Sequence, residues 1–216
     1  MTHPSREECL QYLSEYKTPK HVVGHCKSVA AVAMKLGEAL NAHGGTKAAP
    51  IRDITVQLCT RDDDVGRNYY MQKAGENDHC PSRLFDLELV QAAGLLHDMA
   101  RVEENHWDVA ADFCEERDMM EEAKAIRVHM MYEFTNDADH LTEIDLICLG
   151  DRLTLEDRYA GIDIRMDYIV KKAERNGHPE AKPRILAKKE QTKVLLKDIE
   201  RRIGSIDTLM ENLIYD

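Results

Sequence analysis

Apolar residues recur at helical spacing along most of the chain. Val22, Cys26, Val29, Ala33, Leu36 and Leu40 are separated by alternating steps of four and three, so they share one face of a helix. Thr18-Pro19 supplies an N-cap with Pro at the first helical position, and Gly44-Gly45 ends the element. A shorter helix precedes it, opened by the capping box Ser5-x-x-Glu8. Leu87, Val90, Gly94 and His97 repeat the period and predict a helix over 86–98, with further helices over 105–117 and 119–133. Thr142-x-x-Asp145 caps a helix carrying Ile144, Ile147, Cys148 and Asp151. Thr154-x-x-Asp157 reads as the cap of the next, with Leu155, Tyr159, Ile162, Met166, Ile169 and Ala173 on one stripe.

Asn176-Gly177-His178-Pro179 is a turn signal, after which Leu196, Ile199, Ile203, Ile206, Met210 and Leu213 keep a three-four spacing. The last two long helices are therefore expected to form an antiparallel hairpin, with Gly204-Ser205 as a weak point in the second. Residues 44–84 lack the helical period. Ile54, Val56 and Leu58 alternate with polar residues, as does Arg67-Asn68-Tyr69-Tyr70-Met71-Gln72, and Arg61-Asp62-Asp63-Asp64-Val65-Gly66 lies between. This predicts a β-hairpin within a long insertion. The expected fold is all-α: a helical bundle over 1–160, interrupted at 44–84, and a C-terminal helical hairpin over 161–216. Its apolar seams suit either packing back on the bundle or a homodimer.

With 216 residues, 43% hydrophobic and 32% charged, the chain is globular rather than disordered. No apolar run approaches the ~20 residues of a membrane span, and no signal peptide is evident at the start. Six scattered cysteines without a CxxC pair read as free thiols of a cytoplasmic protein. A net charge of −11 argues against nucleic acid as a partner. Residues 171–202 run against this balance, with eleven basic and five acidic side chains, most simply a solvated helix face.

Chemistry concentrates at His97-Asp98. Adjacent helical residues point about 100° apart, so both can reach one ion at the helix flank. Gly94, one turn earlier, leaves room for an ion or a neighbouring helix. His25 shares a face with Val29, Val32 and Leu36, where a lone histidine would ordinarily be structural. Asp151 interrupts the stripe of Ile144, Cys148 and Leu155, where a buried carboxylate needs a partner or a metal. His106, on a face with Ala110 and Phe113, and His129, three residues after Ile126, are further candidates; His3, His43 and His140 lie in polar or terminal contexts.

The segments His25-Cys26-Lys27-Ser28-Val29-Ala30, Gly94-Leu95-Leu96-His97-Asp98-Met99-Ala100-Arg101 and Leu149-Gly150-Asp151-Arg152-Leu153 together resemble the HD-domain superfamily, whose signature is H…HD…D. The resemblance covers roughly residues 15–160 outside the insertion, and the Asp151–Tyr159 stretch is similar to bacterial HD domains sometimes joined to a molybdenum-cofactor-type nucleotidyltransferase. It implies a first ion held by His25, His97, Asp98 and Asp151. His106 and His129 resemble the extra histidines of two-metal members, with Asp98 bridging. Gly150 departs from the Ala more usual before the last Asp, and Arg101 and Arg152 stand where Lys is common.

The resemblance further implies a metal-dependent phosphohydrolase acting on a nucleotide or other small phosphoester. One or two divalent ions (Fe, Mn, Co, Ni or Zn, with Mg also compatible) would activate water. Asp98 is then a ligand and proton acceptor, and Arg101 and Arg152 are candidate phosphate binders because a guanidinium matches a phosphate with a planar fork. The same ligand set also suits a two-iron oxygenase, and a metal- or nucleotide-binding regulatory module without turnover is the alternative from a different class.

Overall fold

The computed structural model describes residues 2–59, 68–72, 81–134 and 137–215. Helix α1 (Arg6–Glu15) opens on the expected capping box, with the Ser5 side chain accepting from Glu8 N. Helix α2 (Lys20–Ala42) is the central rod. Its stripe is fully withdrawn from solvent at Cys26, Val29, Val32, Ala33, Leu36 and Leu40, each large member contributing about 1.5–3 kcal/mol through burial. Pro19 rather than Thr18 stands at its N-cap, and the Thr18 hydroxyl donates instead to the Met99 carbonyl at 2.8 Å. The hydroxyl thus ties the start of α2 to the segment that follows the HD dipeptide.

Helices α3 (Leu87–Leu96) and α6 (Glu143–Leu153) both pack on α2 and touch each other, while α4 (His106–Glu115) and α5 (Met120–Val128) form a second pair beside α3. Two glycines make the close approach to α2 feasible. A Cβ at Gly94 would lie 2.9 Å from Ala30 Cα, and one at Gly150 would lie 2.7 Å from the Val29 carbonyl oxygen. The neighbouring helix, not an ion, therefore fills the space at Gly94. Helix α6 carries the expected capping box, Thr142 with Asp145.

The alternating segment forms β1 (Thr55–Cys59) and β2 (Asn68–Gln72), antiparallel in the register Thr55↔Gln72 to Cys59↔Asn68. The acidic run 61–66 expected between them lies outside the described residues.

One expectation fails. Thr154 does not cap a helix: Thr154–Leu155 (β3) and Arg158–Tyr159 (β4) pair as a tight hairpin, and α7 begins only at Gly161 (Gly161–Arg175). Glu156 turns the chain with φ +56°, a left-handed conformation that a helical first turn excludes. A Ser/Thr-x-x-Asp spacing is also compatible with such a turn, which is why the sequence alone misleads here.

Helix α8 (Lys182–Ile203) returns along α7. Lys182 pairs with Glu174, Lys189 with Asp167, and Lys193 with Asp163, all within 2.9 Å. This descending order against ascending order is the mark of an antiparallel pair. Gly204, at φ +82°, breaks the last stripe, and α9 (Ile206–Met210) folds back with a Ser205 cap. No helix among the described residues is long and apolar enough to cross a membrane.

Candidate metal centre

The site forms where α2, α3, α4, α5 and α6 converge. His25 comes from the first third of α2, His97 caps the C-terminus of α3 with Asp98 just beyond it, His106 opens α4, and His129 caps the C-terminus of α5. Asp151 lies near the end of α6.

Asp98 is the hub. Its Oδ2 faces His97 Nε2 at 3.7 Å and His25 Nε2 at 3.9 Å. Its Oδ1 faces His106 Nε2 at 3.1 Å and His129 Nε2 at 3.7 Å. Two groups of three ligand atoms result, each within 4.8 Å of one another: His25, His97 and Asp98, and then Asp98, His106 and His129.

The ring orientations are set by backbone carbonyls. Nδ1 of His97 donates to Gly94 O at 2.8 Å, that of His129 to Ile126 O at 2.6 Å, and that of His25 to Glu156 O at 3.0 Å. With the proton on Nδ1, the Nε2 atoms of His97 and His129 turn a lone pair toward the Asp98 carboxylate, whereas Nε2 of His25 meets Asp151 Oδ1 at 3.2 Å. The β3–β4 turn thus has a purpose in the site, since Glu156 supplies the carbonyl that orients His25.

The Nε2 atoms of His97 and His129 are buried and have no hydrogen-bond partner. Buried orphan acceptors beside a buried carboxylate are costly unless a cation lies between them. The four imidazole-carboxylate contacts around Asp98 fit a divalent transition ion, for which nitrogen and carboxylate oxygen are apt donors.

Burial pushes the His97 imidazole down to about 4, so it stays neutral and available as a ligand at neutral pH. Burial works to raise the Asp98 carboxyl, but the imidazoles of His97, His106 and His129 and the Arg101 guanidinium outweigh it and hold it well below the carboxylate range. Asp151 is likewise held low: burial opposes ionisation, while the hydrogen bond from His25 and the Arg165 charge prevail. For His25 burial acts downward, and the bond to Asp151 with the charges of Asp151 and Asp98 carries it above the ordinary value.

A model of the HD domain matches residues 22–148. The chain belongs to the HD-domain family. No curated protein and no solved structure matches it. The HD fold, with its two His/His/Asp groups, has the capacity for one or two divalent ions and is that of an HD-type metal-dependent hydrolase.

Within this HD domain, the structure brings together His25, His97, Asp98, His106 and His129, and places Asp151 at their edge, 3.2 Å from His25 Nε2. Arg101 also joins, its Nη1 3.2 Å from Asp98 Oδ1 and 3.0 Å from His106 Nε2. Arg152 does not. Its guanidinium is buried, donates to the Tyr132 carbonyl and to Thr192 Oγ1, and stacks on the Phe134 ring at 4.3 Å. That clamp fastens α6 to α8 and occupies the guanidinium expected to bind phosphate.

Sequence reading missed Arg165, whose Nη2 donates to Asp151 Oδ1 at 3.1 Å. The signal was available. Arg165 falls three residues after Ile162 and four before Ile169, a charged residue on the apolar face of α7.

Proposed function

We propose that this HD domain hydrolyses a small phosphoester, a nucleotide or a phosphomonoester, at a two-ion centre in which Asp98 is shared. The sharing of one buried carboxylate between two triads carries the reading, because ions held by both triads would lie side by side. His25, His97 and Asp98 would hold one ion, with Asp151 beside it, and Asp98, His106 and His129 the other. When bound, a divalent ion lowers the pKa of water toward neutrality and offsets the charge that develops on a phosphoryl group.

The chain's own contribution is orientation and charge. Arg101 spends Nη1 on Asp98 and His106, while its Nε and Nη2 have no hydrogen-bond partner among the described residues and its side chain is 37% exposed. Those remaining donors would bind phosphoryl oxygens as a planar fork. Asp98, held ionised, would accept a proton only after serving as a ligand. Arg165 steadies Asp151.

The wider setting is proposed to be cytoplasmic, since Cys9, Cys26, Cys114 and Cys148 are buried free thiols suited to a reducing compartment. Nucleic acid is disfavoured as a partner by the net charge of −11. Exposed Ile164 and Val194 on the α7–α8 pair favour self-association there, which sedimentation would register as twice the chain mass. The division at residue 160 is proposed as a bundle with a helical extension.

Elemental analysis and a phosphatase screen test the reading together. The expected result is more than one transition ion per chain and phosphate release from nucleotides or phosphomonoesters stimulated by Mn, Co, Ni, Fe, Zn or Mg. Oxygen consumption by iron-loaded protein without phosphate release would replace it with the oxidative reading. Ion binding with neither activity would replace it with the regulatory one.

A further inference from the structure

A second site lies behind the metal helices. A groove of about 720 Å³ opens between α2, α3 and the C-terminal segment around α9, and it contains none of the metal-centre residues. Met34, Leu95, Leu209 and Leu213 give it apolar walls, and Arg6 and Lys27 stand on its lining.

Its charge runs against that of the molecule. In a chain of net charge −11, the groove is lined by Arg6, Lys27 and Lys35 against a single carboxylate, Glu38, which lies 3.6 Å from Lys35. Arg6 and Lys27 have neither an ion pair nor a side-chain hydrogen bond among the described residues. Nη2 of Arg6 is shielded from water and still lacks a partner. A shielded, unpaired guanidinium nitrogen is costly to leave unmet. Two uncompensated cations above an aliphatic trough form a polar head site with an apolar body site, the usual composition of a small-ligand cleft.

We propose that this groove binds a small amphipathic anion, with its carboxylate or phosphate head on Arg6 and Lys27 and its aliphatic body along Met34, Leu95 and Leu213. The site touches the metal centre through the helices themselves. Lys27 lies two residues after His25 on α2, Leu95 two before His97 on α3, and Ala30, also on the lining, is the residue against which Gly94 is packed. An occupant would brace α2 against α3 from behind.

Titration calorimetry of the full chain with decyl phosphate, decanoate and decanol, all below their micellar concentrations, tests this. Saturable binding of decyl phosphate or decanoate at one site per chain, at least tenfold tighter than decanol, is the expected result. The better of the two anions identifies the head group. Arg6→Gln with Lys27→Gln should weaken anion binding at least tenfold, and Ala31→Phe, which narrows the groove, should abolish it. Circular dichroism and melting of each variant establish folding, and a variant that fails to fold is replaced by the other. No saturable binding of either anion, equal binding of decanol, or anion binding indifferent to the folded variants would overturn the proposal.

Discussion

The Oδ1 oxygen of Asp98 lies 3.1 Å from Nε2 of His106. Because the other oxygen of the same carboxylate faces His25 and His97, the two ligand groups are not independent. Asp98→Asn is expected to empty both, whereas His106→Ala should spare the ion of the His25 group. Elemental analysis should show metal content near zero for the first variant and near half for the second. Equal loss in both variants would contradict the division into two groups.

Arg165 reaches Asp151 from α7, and the same carboxylate oxygen meets His25 at 3.2 Å. Partners of this kind typically account for about 10–100-fold in metal affinity. Arg165→Gln should therefore weaken ion binding in that range, as read by competition with a chromogenic chelator. Arg165→Lys should restore part of it. Unchanged affinity in Arg165→Gln would remove the residue from the site.

Gly150 sits where an added Cβ would come within 2.7 Å of the Val29 carbonyl and 3.2 Å of Ala33 Cβ. Gly150→Ala should push α6 from α2 and destabilise the fold by about 1–3 kcal/mol, measurable in urea. The next residue is Asp151, so metal content should fall along with stability.

His3, on sequence only a terminal histidine, is buried between two acids: Nδ1 lies 2.7 Å from Glu122 and Nε2 lies 3.3 Å from Asp86. Burial acts to lower its pKa, and the bond and charge of Glu122 with the charge of Asp86 overcome that and raise it. A histidine raised on folding contributes stability that is complete below its unfolded value of about 6.5 and lost as pH rises through the folded one. The melting temperature should accordingly decline from pH 6 to pH 8. In His3→Gln this decline should flatten, with a loss of about 1–3 kcal/mol at pH 6 because buried Glu122 loses its donor. An unaltered pH profile in the variant would refute the assignment.

Much of this was legible in the chain. The α2 stripe, both capping boxes and the break at Gly204 follow from local periodicity and cap chemistry, which packing did not override. His25 read as structural on its own and joined the metal candidates through the resemblance, while Asp151 stood out as a carboxylate where an apolar residue belongs. Two features were hidden. The β3–β4 turn depends on a left-handed Glu156 that no periodicity announces. The fate of Arg152 depends on Tyr132, Phe134 and Thr192, distant in sequence and brought to it only by packing.

Helices α3 and α5 each stop at a histidine whose ring donates to a carbonyl three residues back, Gly94 or Ile126. The imidazole therefore serves as a side-chain plug for the helix end, alone among the described residues at Gly94 and beside the His129 backbone N–H at Ile126. One residue added inside either helix would swing its ring by about 100° and take the imidazole off that carbonyl. Growth of the polypeptide is confined by this to the links between helices, and the span of α3 and α5 is as much a property of the catalyst as the identity of its side chains.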